Sequence, residues 1–125
     1  MPKILVVDDE EDIRFIIKTA LSKKGYHVVE AESGEECLEI VKSERPDLIF
    51  MDIMMPGIDG WETTRRIKTN PETKDIPISM VSAKGGSEDR RKSTEYAFAE
   101  AHLTKPIDFE LMFRTAETLL SNLSN

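Results

Sequence analysis

The chain has 125 residues, of which 39% are hydrophobic and 33% charged, with a formal net charge of -7 and one cysteine. That length fits one domain with its own core, and the acidic balance argues against direct nucleic-acid binding and for a basic or cationic partner. A lone cysteine forms no intrachain disulfide and suits a reducing compartment; with no apolar run of membrane-span length and no signal peptide, a cytoplasmic location without membrane insertion is expected.

Lys3–Val7 is a short apolar run rich in β-branched residues and reads as a buried strand. Ile13, Ile16, Ile17, Ala20 and Leu21 then recur at helical spacing up to Gly25. His27–Glu32 reads as a second strand with polar ends. Ser33 and Glu36 form a capping box that opens a helix carrying Cys37, Leu38, Ile40 and Val41, ended before Pro46. Asp47–Met51 is the third strand, and Trp61–Lys68 the third helix, stopped by Asn70-Pro71. Ile76–Ala83 is the fourth strand. Residues from Ser87 to about Phe98 are expected to be helical, with a thin apolar stripe. Ala101–Lys105 is a short fifth strand. Asp108 caps a last helix striped by Phe109, Met112, Phe113, Ala116, Leu119, Leu120 and Leu123, and the tail from Ser121 is expected to fray.

Five strands alternating with five helices imply an α/β, doubly wound (βα)5 domain with a parallel sheet, occupying residues 1–125 without linker, repeat or output domain. Strands one, three and four are almost wholly apolar and belong in the centre; strands two and five carry polar residues and belong at the edges. The order 2-1-3-4-5, a flavodoxin-like sheet, satisfies both demands.

Sites in open parallel sheets form beyond the carboxyl ends of the strands, where the order reverses. Strand one ends in Asp8-Asp9-Glu10, strand three in Asp52, strand four in Ser82-Ala83 and strand five in Lys105-Pro106. Each alone has a plain explanation: Asp8-Asp9 a helix N-terminus, Asp52 a loop carboxylate, Ser82 a cap, Lys105 a strand end. Together they place three carboxylates, a hydroxyl and an ammonium at one rim. Clustered carboxylates call for a cation, and oxygen ligands without His or Cys fit Mg²⁺ and argue against zinc. Lys and Ser suit phosphate oxygens, and a carboxylate can attack phosphorus to form an acyl phosphate. The set points to a metal-assisted phosphoryl acceptor.

Four segments resemble the receiver domains of two-component response regulators, of the chemotaxis-receiver kind. They are Asp8-Asp9 after Lys3–Val7, the run from Asp52 through Met54, Pro56 and Gly57 to Gly60, Ser82-Ala83-Lys84, and Thr104-Lys105-Pro106. The resemblance covers essentially the whole chain. It implies that Asp52 accepts a phosphoryl group from a histidine kinase, a phosphotransfer protein or a small phosphodonor. It implies Asp8, Asp9, Asp52 and the backbone carbonyl of Met54 as Mg²⁺ ligands, Lys105 as the phosphoryl cation and Ser82 as the switch hydroxyl. Met54 and Lys84 match positions that tune autodephosphorylation, or are ordinary loop residues. The resemblance further implies a signalling switch rather than an enzyme, catalysing only its own phosphorylation and slow dephosphorylation. Its face made by the fourth helix, fifth strand and fifth helix would control an unidentified protein, as a monomer or a weak phosphorylation-dependent dimer.

Two positions depart from the family pattern. His102 stands where an aromatic coupled to the switch hydroxyl is usual; it is either an edge-strand polar residue or one that moves with Ser82 or adds pH sensitivity. Phe98 stands where a glycine is frequent, and its Cβ resists positive φ, so a local change in the fourth helix or its loop is expected. Trp61 reads as packing, Cys37 as a small buried hydrophobe, residues 88–92 as a solvated face, and Tyr96 as either a partner contact or a plain exposed ring. The competing classes are a haloacid-dehalogenase-like phosphatase and a degenerate receiver serving only as an interaction module. The phosphatase pattern wants D-x-D after strand one and a cap domain, where this chain has Asp8-Asp9; the intact acceptor set argues against degeneracy.

Overall fold

The computed structural model describes residues 1–83 and 85–121. Strand β1 (Lys3–Val7) leads to helix α1 (Glu11–Lys23), β2 (His27–Ala31), α2 (Gly34–Glu44), β3 (Leu48–Asp52), α3 (Gly60–Lys68) and β4 (Ile78–Ser82). Helix α4 (Ser87–Arg91) runs on into a π-helical turn (Lys92–Tyr96), followed by β5 (Ala101–Thr104) and α5 (Phe109–Ser121). The five strands form one sheet in the order β2-β1-β3-β4-β5, all neighbours parallel, as the strand polarities predict. Leu123 lies outside the described residues.

Period-two alternation divides the core into two layers. Leu5, Val7, Ile49, Met51, Ile78 and Met80 point to one face, under Cys37 and Val41 of α2 and Trp61 and Ile67 of α3. Ile4, Val6, Leu48, Phe50, Val81 and Leu103 point to the other, under Ile17 and Leu21 of α1 and Met112, Ala116 and Leu119 of α5. Ile16, expected in the α1 stripe, is 47% exposed. Its neighbours Ile13, Ile17 and Leu21 already fill the seam against the sheet.

Local signals explain several element ends. Ser33 Oγ accepts from Glu36 N–H at 3.1 Å while the Glu36 carboxylate reaches back to Glu32 N–H at 2.7 Å. Asp59 and Asp108 cap α3 and α5 through Glu62 N–H and Leu111 N–H. The third strand is shifted one residue from its expected span. Asp47 stands just before the strand, its N–H donating to Lys3 C=O and its carboxylate accepting from Lys3 N–H at 2.8 Å, and Asp52 pairs in register with Val81. The fourth and fifth strands are shorter than expected, Ile78–Ser82 and Ala101–Thr104, and the second ends at Ala31.

The fourth helix departs most from regular geometry. Ala97 N–H donates to Lys92 C=O, an i to i+5 bond, and α4 itself buries no residue. Phe98 nevertheless keeps the glycine-like backbone, with φ +63°. The expected local change therefore falls in the helix, which opens into the π-helical turn, while the expected resistance to positive φ is not met at Phe98 itself.

Candidate active site at the carboxyl end of the sheet

The ends of β1, β3, β4 and β5 converge on one rim. Asp8 follows β1, and its backbone N–H donates to Ala31 C=O at 3.1 Å. Arg14 of α1 locks the same residue from the other side, donating from Nη1 to Asp8 C=O at 2.7 Å and from Nε to Glu30 at 3.2 Å. Asp8 Oδ1 accepts from Glu10 N–H at 2.9 Å, so the carboxylate is aimed before any ligand arrives.

Asp52 closes β3 and is buried. The helix that follows comes in close: Gly60 N–H donates to Ile53 C=O at 2.8 Å, and a Cβ on Gly60 would collide with the Asp52 carbonyl. This is why glycine opens α3. Gly57, at φ +79°, makes the turn between them.

Lys105 reaches across from the β5 end. Its Nζ lies 3.0 Å from Asp8 Oδ2 and 3.5 Å from Asp52 Oδ1. Its backbone N–H donates to Ser82 C=O at 2.8 Å, and the peptide to Pro106 is cis. Ser82 is the fully buried last residue of β4, in register with Thr104. Asp9 and Met54 are exposed at the mouth. Lys84 lies outside the described residues.

The electrostatics follow from this crowding. Burial first, then the charge of Asp8, pushes the Asp52 carboxyl from 3.8 up to about 6, with Lys105 pulling the other way. Burial alone would lower the Lys105 ammonium, but its bond to Asp8 and the charge of Asp52 outweigh that and raise it. Carboxylate oxygens of Asp8, Asp9 and Asp52 all lie within 4.8 Å of one another. Among the described residues three carboxylates face one ammonium, which leaves an excess of negative charge, and this donor set fits Mg²⁺.

His102 does not stand free on the edge strand. Its Nδ1 lies 2.7 Å from Ser93 Oγ, and the indole N–H of Trp61 donates to that same oxygen at 3.0 Å. Ser93, buried in the π-helical turn, thus joins α3, α4 and β5. Trp61 is a packing residue as expected, but one with a polar handle. Cys37 is buried, and desolvation pushes its thiol up to about 12, which leaves it inert.

Ser93 and Arg14 escaped the sequence reading. Both are polar residues at unremarkable helix positions, and only their partners, Trp61 with His102 and Asp8 with Glu30, give them a role. Among the described residues no helix is long and apolar enough to cross a membrane.

Residues 4–117 match the family model described as the response regulator receiver domain. The chain is 34% identical to the protein PilH of Pseudomonas aeruginosa over 121 residues, covering 97% of this chain and 99% of PilH. It is 42% identical over 103 residues to the phosphate regulon transcriptional regulatory protein PhoB of the same organism, spanning 82% of this chain but only 44% of PhoB. Among solved structures, the response regulator TrrA of Thermotoga maritima, in complex with Mg²⁺ and BeF, shares 37% identity at a TM-score of 0.86 over 96% of this chain and all (100%) of its own. The chemotaxis protein CheY4 of Vibrio cholerae shares 30% at a TM-score of 0.89, with 96% and 99% of the two chains covered. The match of the family model over residues 4–117, and the placement of Asp8, Asp52, Ser82 and Lys105 at the strand ends of a 2-1-3-4-5 sheet, lead to one conclusion: the chain belongs to the response regulator receiver domain family of two-component signalling.

Proposed function

We propose that this receiver is a phosphorylation-dependent switch in which Asp52 is the acceptor. The observation that carries the reading is the ion-paired cluster itself: a buried carboxylate at the end of β3, flanked by Asp8 and Asp9 and faced by Lys105. An Asp52 oxygen attacks phosphorus in line, the O–P bond forms, and the P–N bond to the donor histidine breaks, its electron pair staying with the imidazole. Lys105 moves from the carboxylates onto the transferred oxygens, and the Ser82 hydroxyl turns toward another. Asp8, Asp9, Asp52 and the Met54 carbonyl would hold Mg²⁺, which supplies neutralisation of the charge spread over the phosphoryl oxygens. Arg14 and Gly60 fix the backbone on either side, so the carboxylates are positioned in advance.

The donor needs a surface around the rim, and an exposed apolar border supports a protein donor. Phe15 and Ile16 on α1 and Met54 on the β3–α3 loop are 65%, 47% and 57% exposed. A histidine kinase or phosphotransfer protein would cover them while presenting its phosphohistidine. The output is carried by α4, β5 and α5. A phosphoryl group adds roughly -1.5 to -2 charges, enough to bias a weakly held element. Helix α4, which buries no side chain, is such an element.

The test is intact mass measurement after incubation with Mg²⁺ and a small phosphodonor. One added phosphoryl group is expected in the wild type, and none with Asp52→Asn or without metal. Equal labelling of the Asn variant would remove Asp52 from the role.

A further inference from the structure

A second constellation lies on the α3 side of α4, away from the acidic rim. Arg65 of α3 places its guanidinium carbon 4.6 Å from the centroid of the Tyr96 ring and 5.3 Å from that of Phe98. Lys92 places Nζ 4.3 Å from the Trp61 ring centroid and 5.4 Å from that of Tyr96. Cations and rings thus alternate from the buried Trp61 out to the exposed Phe98. Beside them is an open groove of about 390 Å³ lined by Arg65, Glu88, Arg91, Lys92, Glu95 and Tyr96.

Two features of this patch oppose stability. Phe98 and Tyr96 are 46% and 40% exposed, so neither ring is buried as a core residue would be. Phe98 also carries a Cβ in the left-handed region, where glycine would be relaxed. A strained residue that holds an apolar ring half out in water points to use by a partner. The phenol of Tyr96 donates to Glu62 at 3.0 Å, and Arg66 pairs with the same carboxylate at 2.9 Å, which fixes the ring and neutralises that acid.

We propose that this groove docks an acidic peptide segment carrying an aromatic side chain. Its lining holds three cations, Arg65, Arg91 and Lys92, against two carboxylates, Glu88 and Glu95, in a chain whose net charge is -7. A carboxylate is therefore favoured here by local charge. Stacking on Tyr96 and Phe98 supplies the apolar part, and Arg65, whose guanidinium lies over both rings and donates from Nη1 to Tyr96 C=O, is ordered in advance with its remaining N–H groups available. Glu88 and Glu95 set a limit on charge density, which favours spaced peptide carboxylates over a polyphosphate.

The probe is a hexapeptide of alternating aspartate and phenylalanine, titrated into the isotope-labelled chain and followed by amide and indole NMR signals. Shifts centred on Arg65, Lys92, Tyr96, Phe98 and the Trp61 indole are expected. A lysine–phenylalanine hexapeptide should not produce them. Arg91→Glu with Lys92→Glu should weaken binding at least about tenfold, since two favourable charge contacts become repulsive. Phe98→Gly should weaken it several-fold while leaving the melting temperature equal or higher, because the backbone strain is relieved. Shifts centred on Phe15 or Leu111, equal binding of the lysine peptide, or GTP binding at this groove in place of the peptide would each overturn the proposal.

Discussion

Lys105 is held closer to Asp8 than to Asp52, at 3.0 Å against 3.5 Å. The ammonium therefore bridges two carboxylates that a bound metal ion would also share. Removing it leaves the three acids with more unneutralised charge and takes away a competing cation. Lys105→Met is expected to bind Mg²⁺ about three- to tenfold more tightly at neutral pH, as one partly screened charge contact of ~1 kcal/mol implies. Calorimetric titration measures this directly. Unchanged or weaker affinity would show that Lys105 does not oppose the metal.

The raised Asp52 carboxyl makes the metal-free chain pH-sensitive in a defined direction. Between 3.8 and about 6 the folded chain keeps a proton that the unfolded chain has released. Folding is therefore weakened as pH rises through that window, and the deficit remains above it. Asp52→Asn has no such titration. It should be more stable than wild type near pH 7.5 by on the order of 1–3 kcal/mol, and the gain should vanish at about pH 3.5. Added Mg²⁺ should narrow the gap by stabilising the wild type. Denaturant melts at both pH values with and without Mg²⁺ test all three statements, and a gain that persists in acid would assign it to packing instead.

The rim was legible because chemistry at strand ends interrupts apolar runs. Asp52 and Ser82 stand out after central strands and Lys105 after an edge strand, and strand polarity placed the second and fifth strands at the edges of the sheet. Helix ends were legible where capping is local, as at Ser33 and Asp108. What sequence did not reveal depends on partners far along the chain. Ser93 is one of many surface-like serines until Trp61 and His102, thirty-two positions before it and nine after, both reach it. The outward turn of Ile16 and the π-helical turn at Lys92–Tyr96 are likewise decided by what neighbouring elements have already filled.

An ion pair between a buried lysine and an exposed carboxylate closes the opposite end of the sheet. Lys68 Nζ lies 2.6 Å from Glu100 and also donates to the carbonyls of Lys74 and Ile76. The other Glu100 oxygen accepts from Ile78 N–H at 2.7 Å, so one carboxylate starts β4 and neutralises an α3 lysine. Glu100→Ala strips both partners and should cost about 2–4 kcal/mol. Lys68→Met in the same background should recover part of that loss, since no charge is then left buried. Urea denaturation of the two single variants and the double variant checks this; additive losses would mean that the pair is not coupled.

Ser93 offers the sharpest test of how α4 is held. The Trp61 indole can only donate, so the Ser93 hydroxyl oxygen must accept from it, and its remaining capacity meets His102 Nδ1. Ser93→Ala leaves a buried indole N–H and an imidazole nitrogen without their partner. The expected cost is about 1–3 kcal/mol, with faster hydrogen exchange of the Trp61 indole and of the amides from Ala97 to Ala99. His102→Phe removes the imidazole but keeps the Trp61–Ser93 bond, so it should leave indole exchange slow while loosening β5 against the π-helical turn. A Ser93→Ala chain with wild-type indole protection would show that packing, and not this hydrogen-bond relay, holds α4 in place.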